Sequence, residues 1–204
     1  LNGAKVLEAM CGSGQATRRL IESGAHVTGL DISDAQIESF RKRWPECDAV
    51  CASILDSGFE DCSFDAVVVI AGLHHITELC VQAVDEIHRI LKPGGYFLFM
   101  EPHAGSLPDV IRQLWYSKDA MFGEGEKAID LDSLKKSFSG EFGFELEKYI
   151  GNVAYMLILN SMVFRIPLWL KPLYSPLLMP IESLISIAQS KKLSCVSLSR
   201  WRKL

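Results

Sequence analysis

Apolar residues come in short blocks along the first half of the chain. Runs at Lys5–Glu8, His26–Leu30, Ala49–Cys51, Ala66–Ile70 and Tyr96–Met100 predict five strands. They are nearly continuous rather than strictly alternating, which is the pattern of a mostly parallel sheet covered on both faces. Thr17–Glu22, Asp34–Trp44 and Glu78–Leu91 predict helices between them, the last with Leu79, Ala83, Ile87, Ile90 and Leu91 on one face near helical spacing. Ser33 or Asp34 is placed to cap the second helix and Thr77 the third. Pro93-Gly94-Gly95 is expected to end the third helix and turn the chain into the fifth strand. Right-handed crossovers then put helices on both faces of the sheet.

The second half has a different texture. Leu107–Met121 and Leu131–Phe138 predict helices, with Gly123-Glu124-Gly125-Glu126 between them as a candidate mobile loop. Phe142–Tyr149 and Cys195–Trp201 predict two further strands. Between these lies a Leu-, Ile- and Met-rich block, Val153–Gln189, broken by Pro167, Pro172, Pro176 and Pro180. The prolines predict several short helices, and Ile181, Leu184, Ile185 and Ala188 form an apolar stripe at i, i+3, i+4 and i+7. Asn160, Ser161, Arg165 and Pro167 interrupt the block before the roughly 20 apolar residues of a membrane span accumulate. Three readings remain open for it: a helical layer packed on the sheet edge, an apolar wall over a substrate, or a contact with a membrane surface.

The whole is expected to be one α/β domain with a Rossmann-like doubly wound sheet over residues 1–204. Within it, 1–102 form a cofactor-binding core and 103–204 a substrate-side half whose helical insertion spans about 153–190. At 49% hydrophobic and 23% charged residues the chain reads as an ordinary packed protein, and its net charge of −4 gives no footprint for nucleic acid. The basic cluster Lys191, Lys192, Arg200, Arg202 and Lys203 reads as a solvated face, with a polybasic patch as the alternative. Six cysteines form no C-x-x-C pair and read as free thiols, which with no signal peptide at the start implies a cytoplasmic protein, membrane-associated if the apolar block meets lipid. No metal site is expected, since neither Cys47 with Cys51 nor His74 with His75 completes a ligand set.

The candidate chemistry lies where the first strand ends. Val6-Leu7-Glu8-Ala9-Met10-Cys11-Gly12-Ser13-Gly14 runs from strand to glycine turn, and a second apolar strand then ends at Asp31, placed for a ribose diol. A pyrophosphate over that turn would be repelled by Glu8, and the third small residue of a dinucleotide pattern is replaced by Thr17. S-adenosylmethionine carries a sulfonium and an ammonium instead of phosphate, which suits a carboxylate. NAD is accordingly disfavoured.

On these residues the chain resembles the class I S-adenosylmethionine-dependent methyltransferases, in particular the small-molecule type with an E-x-G-x-G-x-G first motif. Glu8 to Gly14 matches that motif with Met10 in place of the first glycine. Ser63-Phe64-Asp65 is similar to the family's entry into strand four, and Leu91-Lys92-Pro93-Gly94-Gly95 to its turn into strand five. The resemblance spans roughly residues 5–102. It implies a Rossmann-like sheet with an antiparallel last strand, S-adenosyl-L-methionine as cofactor, and a cofactor-binding set of Glu8, Met10, Gly12, Gly14, Asp31, Ile32, Ser53, Ile54, Ala71 and Gly72. Glu8, Gly12 and Gly14 would face the methionine end, Asp31 the ribose, Ile32 the adenine ring, and Ser53 the adenine amino group. Ala71 and Gly72 would line the methyl's approach. If the family's glycine sits at positive φ, Met10 either strains the turn or marks an altered pocket. Family members usually carry helices ahead of the first strand, so this sequence is expected to be a fragment or to close its site another way.

His74 and His103 are the candidate catalytic residues, each just past the carboxyl end of a strand. The implied activity is methyl transfer to a small acceptor, apolar or lipid-like on the strength of the 153–190 block, which would also carry any peripheral membrane contact. The rival readings are a non-catalytic protein of the same fold and an NAD-dependent oxidoreductase.

Overall fold

Each of the seven apolar runs becomes a strand: β1 (Lys5–Ala9), β2 (His26–Asp31), β3 (Asp48–Cys51), β4 (Phe64–Ile70), β5 (Leu91–Pro102), β6 (Phe142–Ile150) and β7 (Val196–Lys203). The structure is a computed structural model that describes residues 1–116, 127–151, 157 and 166–204. One sheet holds all seven strands in the order β3-β2-β1-β4-β5-β7-β6. β1 to β5 run parallel to their neighbours, whereas β7 lies antiparallel between β5 and β6. The chain winds outward from β1 through β2 to β3, then returns to the other side of β1 as β4. That reversal opens a crevice at the carboxyl ends of β1 and β4.

Alternating strand residues fill two cores. Leu7, Ala9, Val67 and Val69 pack on one face with Ala83, Val84, Ile87 and Ile90 of helix α3 (Cys80–Ile90). Val6, Ala66 and Val68 pack on the other with Leu20 of helix α1 (Thr17–Glu22). Helix α2 (Asp34–Arg43) buries Ile37 and Phe40 and is capped by Ser33, whose Oγ accepts from the Gln36 N–H at 3.4 Å. At the far side, Trp201 of β7 is 1% exposed among Phe97, Phe99, Phe138 and Phe142.

Four local expectations change. Helix α3 begins at Cys80 after two 3-10 turns (Leu73–His75 and Thr77–Leu79), so Thr77 does not cap it. Pro93-Gly94-Gly95 lies inside β5 rather than before it. Leu91 already pairs with Phe64, and the next pair is Ala66 with Tyr96, so the glycines form a bulge. The seventh strand begins at Val196 rather than Cys195. In the apolar block the described part is not several short helices. A 3-10 turn (Leu168–Leu170) leads into one helix, α6 (Lys171–Ile185), followed by a second turn (Ser186–Ala188). Pro172 sits in the first turn of α6, where its missing N–H costs nothing. Pro176 and Pro180 follow at four-residue steps, so the lost bonds fall along one side of the helix.

Helices α4 (Leu107–Tyr116) and α5 (Leu131–Ser137) complete the set, α5 capped by Asp130. The loop expected at 123–126, the end of the helix expected to reach Met121, and most of 153–165 lie outside the described residues. Among the described residues no helix is long and apolar enough to cross a membrane.

Candidate active site

Three carboxylates mark the crevice, each ending a strand. Glu8 in β1 is 1% exposed. Its Oε1 accepts the Ala16 N–H at 2.7 Å, and its Oε2 accepts the Thr17 hydroxyl. Helix α1 has no side-chain cap of its own, so Glu8 serves from the neighbouring strand as its N-terminal acceptor. The charge lies beneath the glycine turn rather than projecting over it.

Asp31, at the end of β2, grips the turn from the other side. Its Oδ2 accepts the Gly12 N–H at 2.8 Å and its Oδ1 accepts the Ser33 N–H at 2.9 Å. Each oxygen keeps lone pairs for a further donor. Gly12 (φ 53°) and Gly14 (φ 89°) hold left-handed backbone, and a Cβ on Gly12 would meet nothing nearer than Gln36 Oε1 at 3.7 Å. The surface over Gly12 is therefore open. Trp44 closes the turn from outside, its Nε1 donating to the Ser13 carbonyl at 3.1 Å. Burial first, then the charges of Glu8 and Asp31, push the Cys11 thiol up to about 12. The turn thus carries a protonated thiol in a negative field.

Met10 and Ala71 are strained. Both are non-glycine residues with positive φ, 54° and 53°, at the ends of the adjacent strands β1 and β4. The Met10 side chain lies over Gly72: a Cβ built on Gly72 would sit 2.8 Å from both Met10 Cβ and Met10 Sδ. The glycine missing at position 10 is thus matched by one at position 72.

Glu101, at the end of β5, is 0% exposed and fully engaged. Its Oε1 accepts the N–H groups of Gly72 and Leu73 at 2.7 and 2.8 Å, and its Oε2 pairs with His74 Nδ1 at 2.8 Å. This carboxylate holds the loop after β4 and favours the Nδ1–H tautomer of His74, leaving Nε2 as a proton acceptor. The His74 side chain is 16% exposed.

His103 is placed differently. It is 1% exposed, with Nε2 at 3.0 Å from the Ser194 carbonyl and Nδ1 at 3.3 Å from that of Ala104. Burial lowers its pKa against the opposing pull of the two carbonyls, and the ring ties the end of β5 to the segment before β7.

Of the remaining predicted residues, Ile32 is 74% exposed beside Asp31. Ser53 Oγ accepts the Leu55 N–H at 3.1 Å, whereas Ile54 turns its side chain into the core. That loop is clamped from α3. Ser57 donates to Glu86, which pairs with Arg89, and Arg89 also reaches Asp61 and the Phe59 carbonyl. Arg89 and the Ser57 donors hold the Glu86 carboxyl at about 2.

The structure thus gathers Glu8, Met10, Gly12, Gly14, Asp31, Ala71 and Gly72 around one crevice, with Ile32 and Ser53 along its β2–β3 side. Glu101, Trp44 and the Glu86–Arg89 clamp were not anticipated. Glu101 had a usable signal, since it closes an apolar strand with an acid just as Asp31 does. Trp44 had none. Among the described residues, no three His, Cys, Asp or Glu side chains come together as a metal ligand set.

Comparison with known proteins agrees with this geometry. A family model described as a methyltransferase domain matches residues 7–99. An uncharacterized methyltransferase of Synechocystis sp. is 38% identical over 105 residues, covering 51% of this chain and 50% of its own. A demethylmenaquinone methyltransferase of Clavibacter sepedonicus is 36% identical over 113 residues, covering 54% and 46%. The match therefore spans about half the length of these curated relatives. An S-adenosylmethionine-dependent methyltransferase from Methanosarcina mazei shares the fold, with TM-score 0.69 at 15% identity over 100% of this chain and 94% of its own. So does the [4+2]-cyclase SpnF, with TM-score 0.68 at 18% identity over 99% and 76%. By its strand order, its glycine turn and the methyltransferase-domain match at residues 7–99, the chain is similar to methyltransferases in sequence and shares its fold with S-adenosylmethionine-dependent ones.

Proposed function

We propose that this chain binds S-adenosyl-L-methionine in the β1–β4 crevice and transfers its methyl group to a small, apolar, lipid-like acceptor. The observation that carries the cofactor half is Asp31, locked onto the Gly12 and Ser33 N–H groups beside an open glycine turn. The residues fit the group. Asp31 has free lone pairs for ribose hydroxyls, Ile32 offers an exposed apolar face to adenine, and the carboxylates of Glu8 and Asp31 flank the glycine turn with negative charge suited to a sulfonium and an ammonium. The cofactor supplies a methyl on a positively charged sulfur, which leaves as a neutral thioether.

The protein's own work is then chiefly positional. Ala71 and Gly72 line the approach to the methyl, and the Met10 side chain lying over Gly72 narrows it. Glu101 fixes that loop and the His74 ring together. His74 Nε2 takes the proton that the acceptor loses, while Nδ1–H stays bonded to Glu101. His103, enclosed between two carbonyls, is a support for this arrangement rather than its base. Two features support an apolar acceptor: relatives described as demethylmenaquinone methyltransferases, and the exposed apolar side chains of α6.

Calorimetry with S-adenosylhomocysteine and with NADH tests the reading. Heat with the first alone is expected. No heat with S-adenosylhomocysteine removes the cofactor claim, and heat with NADH alone restores the oxidoreductase. Methyl transfer to quinol and phenol acceptors then separates an enzyme from a binding protein.

A further inference from the structure

Helix α6 is apolar on both sides. Its half-buried side carries Leu178 and Ile185 with Lys171, Tyr174, Ser175 and Glu182, and the Tyr174 hydroxyl donates to the Leu157 carbonyl at 2.7 Å. Its outward side is apolar. With 100° per residue, Trp169, Leu173, Leu177, Ile181, Leu184 and Ile187 fall on one face, each between 46% and 83% exposed. An ordinary surface helix turns a polar face outward.

Two features select what covers this face. The first is its main chain. Pro176 and Pro180 have no N–H to give the carbonyls of Pro172 and Pro176. These prolines share the outward side, so any cover must supply water to those oxygens; a hydrated headgroup layer does so and a dry protein seam does not. The second is charge. Residues 166–194 carry Lys171, Lys191 and Lys192 against the single acid Glu182. Lys191 pairs with Asp132 at 2.5 Å, and the exposed Lys192 lies beside it, just past the end of the stripe. A chain of net charge −4 thus ends an uncharged outward stripe at an exposed lysine.

We propose that the outward face of α6 docks the protein on the surface of a lipid bilayer, its apolar side chains entering the headgroup–acyl boundary and the lysines meeting anionic headgroups. This contact goes beyond the methyl-transfer reading and does not depend on it.

Co-sedimentation with phosphatidylcholine vesicles containing about 30% phosphatidylglycerol tests it. The wild-type chain is expected in the pellet, with Trp emission shifted to the blue, and W169F is expected to lose most of that shift. L173E/L177E should partition at least about tenfold less while keeping the wild-type unfolding midpoint, because both leucines are exposed. K191Q/K192Q should weaken binding and its salt dependence. Wild-type protein that stays in the supernatant at every composition overturns the proposal, as does L173E/L177E binding like wild type. A dimer in light scattering that L173E/L177E converts to monomer also overturns it, and assigns the face to a second copy. S-adenosylhomocysteine calorimetry without vesicles reports on the crevice separately.

Discussion

Replacing Met10 by glycine and by alanine should invert the usual stability order of those two residues. Met10 sits at φ 54°, where an L side chain costs about 1–2 kcal/mol. Glycine removes that strain but loses about 0.5–1 kcal/mol more backbone entropy on folding. Alanine keeps the strain. Both variants lose the thioether packing over Gly72, about 1 kcal/mol for a half-buried methionine. The balance puts M10G near the wild type and M10A about 1 kcal/mol below it, whereas glycine in a strand is normally the weaker of the pair by about 0.5–1 kcal/mol. Equilibrium urea unfolding reads this as an ordering of midpoints at a common slope. M10A as stable as M10G would show that the turn is not held in the left-handed region. The same proteins also address whether the methionine side chain narrows the crevice, since M10G should bind S-adenosylhomocysteine at least as tightly as the wild type.

Gly72→Ala should cost about 1–3 kcal/mol by overpacking against Met10, and combining it with M10G should recover at least about 1 kcal/mol of coupling in a double-mutant cycle; additive losses would mean the two positions do not touch. Asp31→Ala should weaken S-adenosylhomocysteine by about 1.5–3 kcal/mol in calorimetry, and unchanged affinity would place the ribose elsewhere. His74→Gln should lower kcat by about 10²–10⁴ with little change in cofactor affinity, while full turnover removes it as the base. Glu86 has its carboxyl pKa lowered from 4.5 to about 2 by Arg89 and Ser57, so its contribution is complete above the unfolded value and is lost as pH falls toward 2. Because Arg89 is partly exposed, that contribution is about 1–2 kcal/mol; the gap between wild type and E86Q in thermal melts should close between pH 5 and pH 2.5, and a constant gap would refute the linkage.

The parallel half of the fold was legible because its central strands β1 and β4 are buried on both faces and so read as nearly continuous apolar runs. Thr17–Glu22 even has the same limits in sequence and structure, since the glycine turn fixes its start. The start of α3 was less legible because Leu79 has the right spacing for the helix face, yet the chain between β4 and α3 is drawn into 3-10 turns by Glu101. That contact joins residues 28 apart, which no local pattern reports. For the same reason the acids at 8 and 31 could be placed at the crevice, but not their partners. Position and residue type put Glu8 beside the turn, facing the cofactor; only the fold shows that it is buried there, occupied by Ala16 and Thr17. In α6, proline chemistry predicted breaks, and what it could not convey is that four-residue spacing lets one helix carry all three prolines on a single side.

The position of β7 between β5 and β6 bears on how the molecule assembles. β6 precedes β7 in the chain yet has no pairing partner in the sheet other than β7. Until β7 docks, β6 has no seat and β5 presents an open edge carrying Phe97 and Phe99. Closing that gap joins Phe97 to Trp201 across roughly a hundred residues, a loop closure of the slow kind. The parallel strands β1 to β5 can form early from neighbouring units, so the slow event in folding is the insertion of one strand, and the species awaiting it carries the molecule's greatest risk of edge-to-edge aggregation.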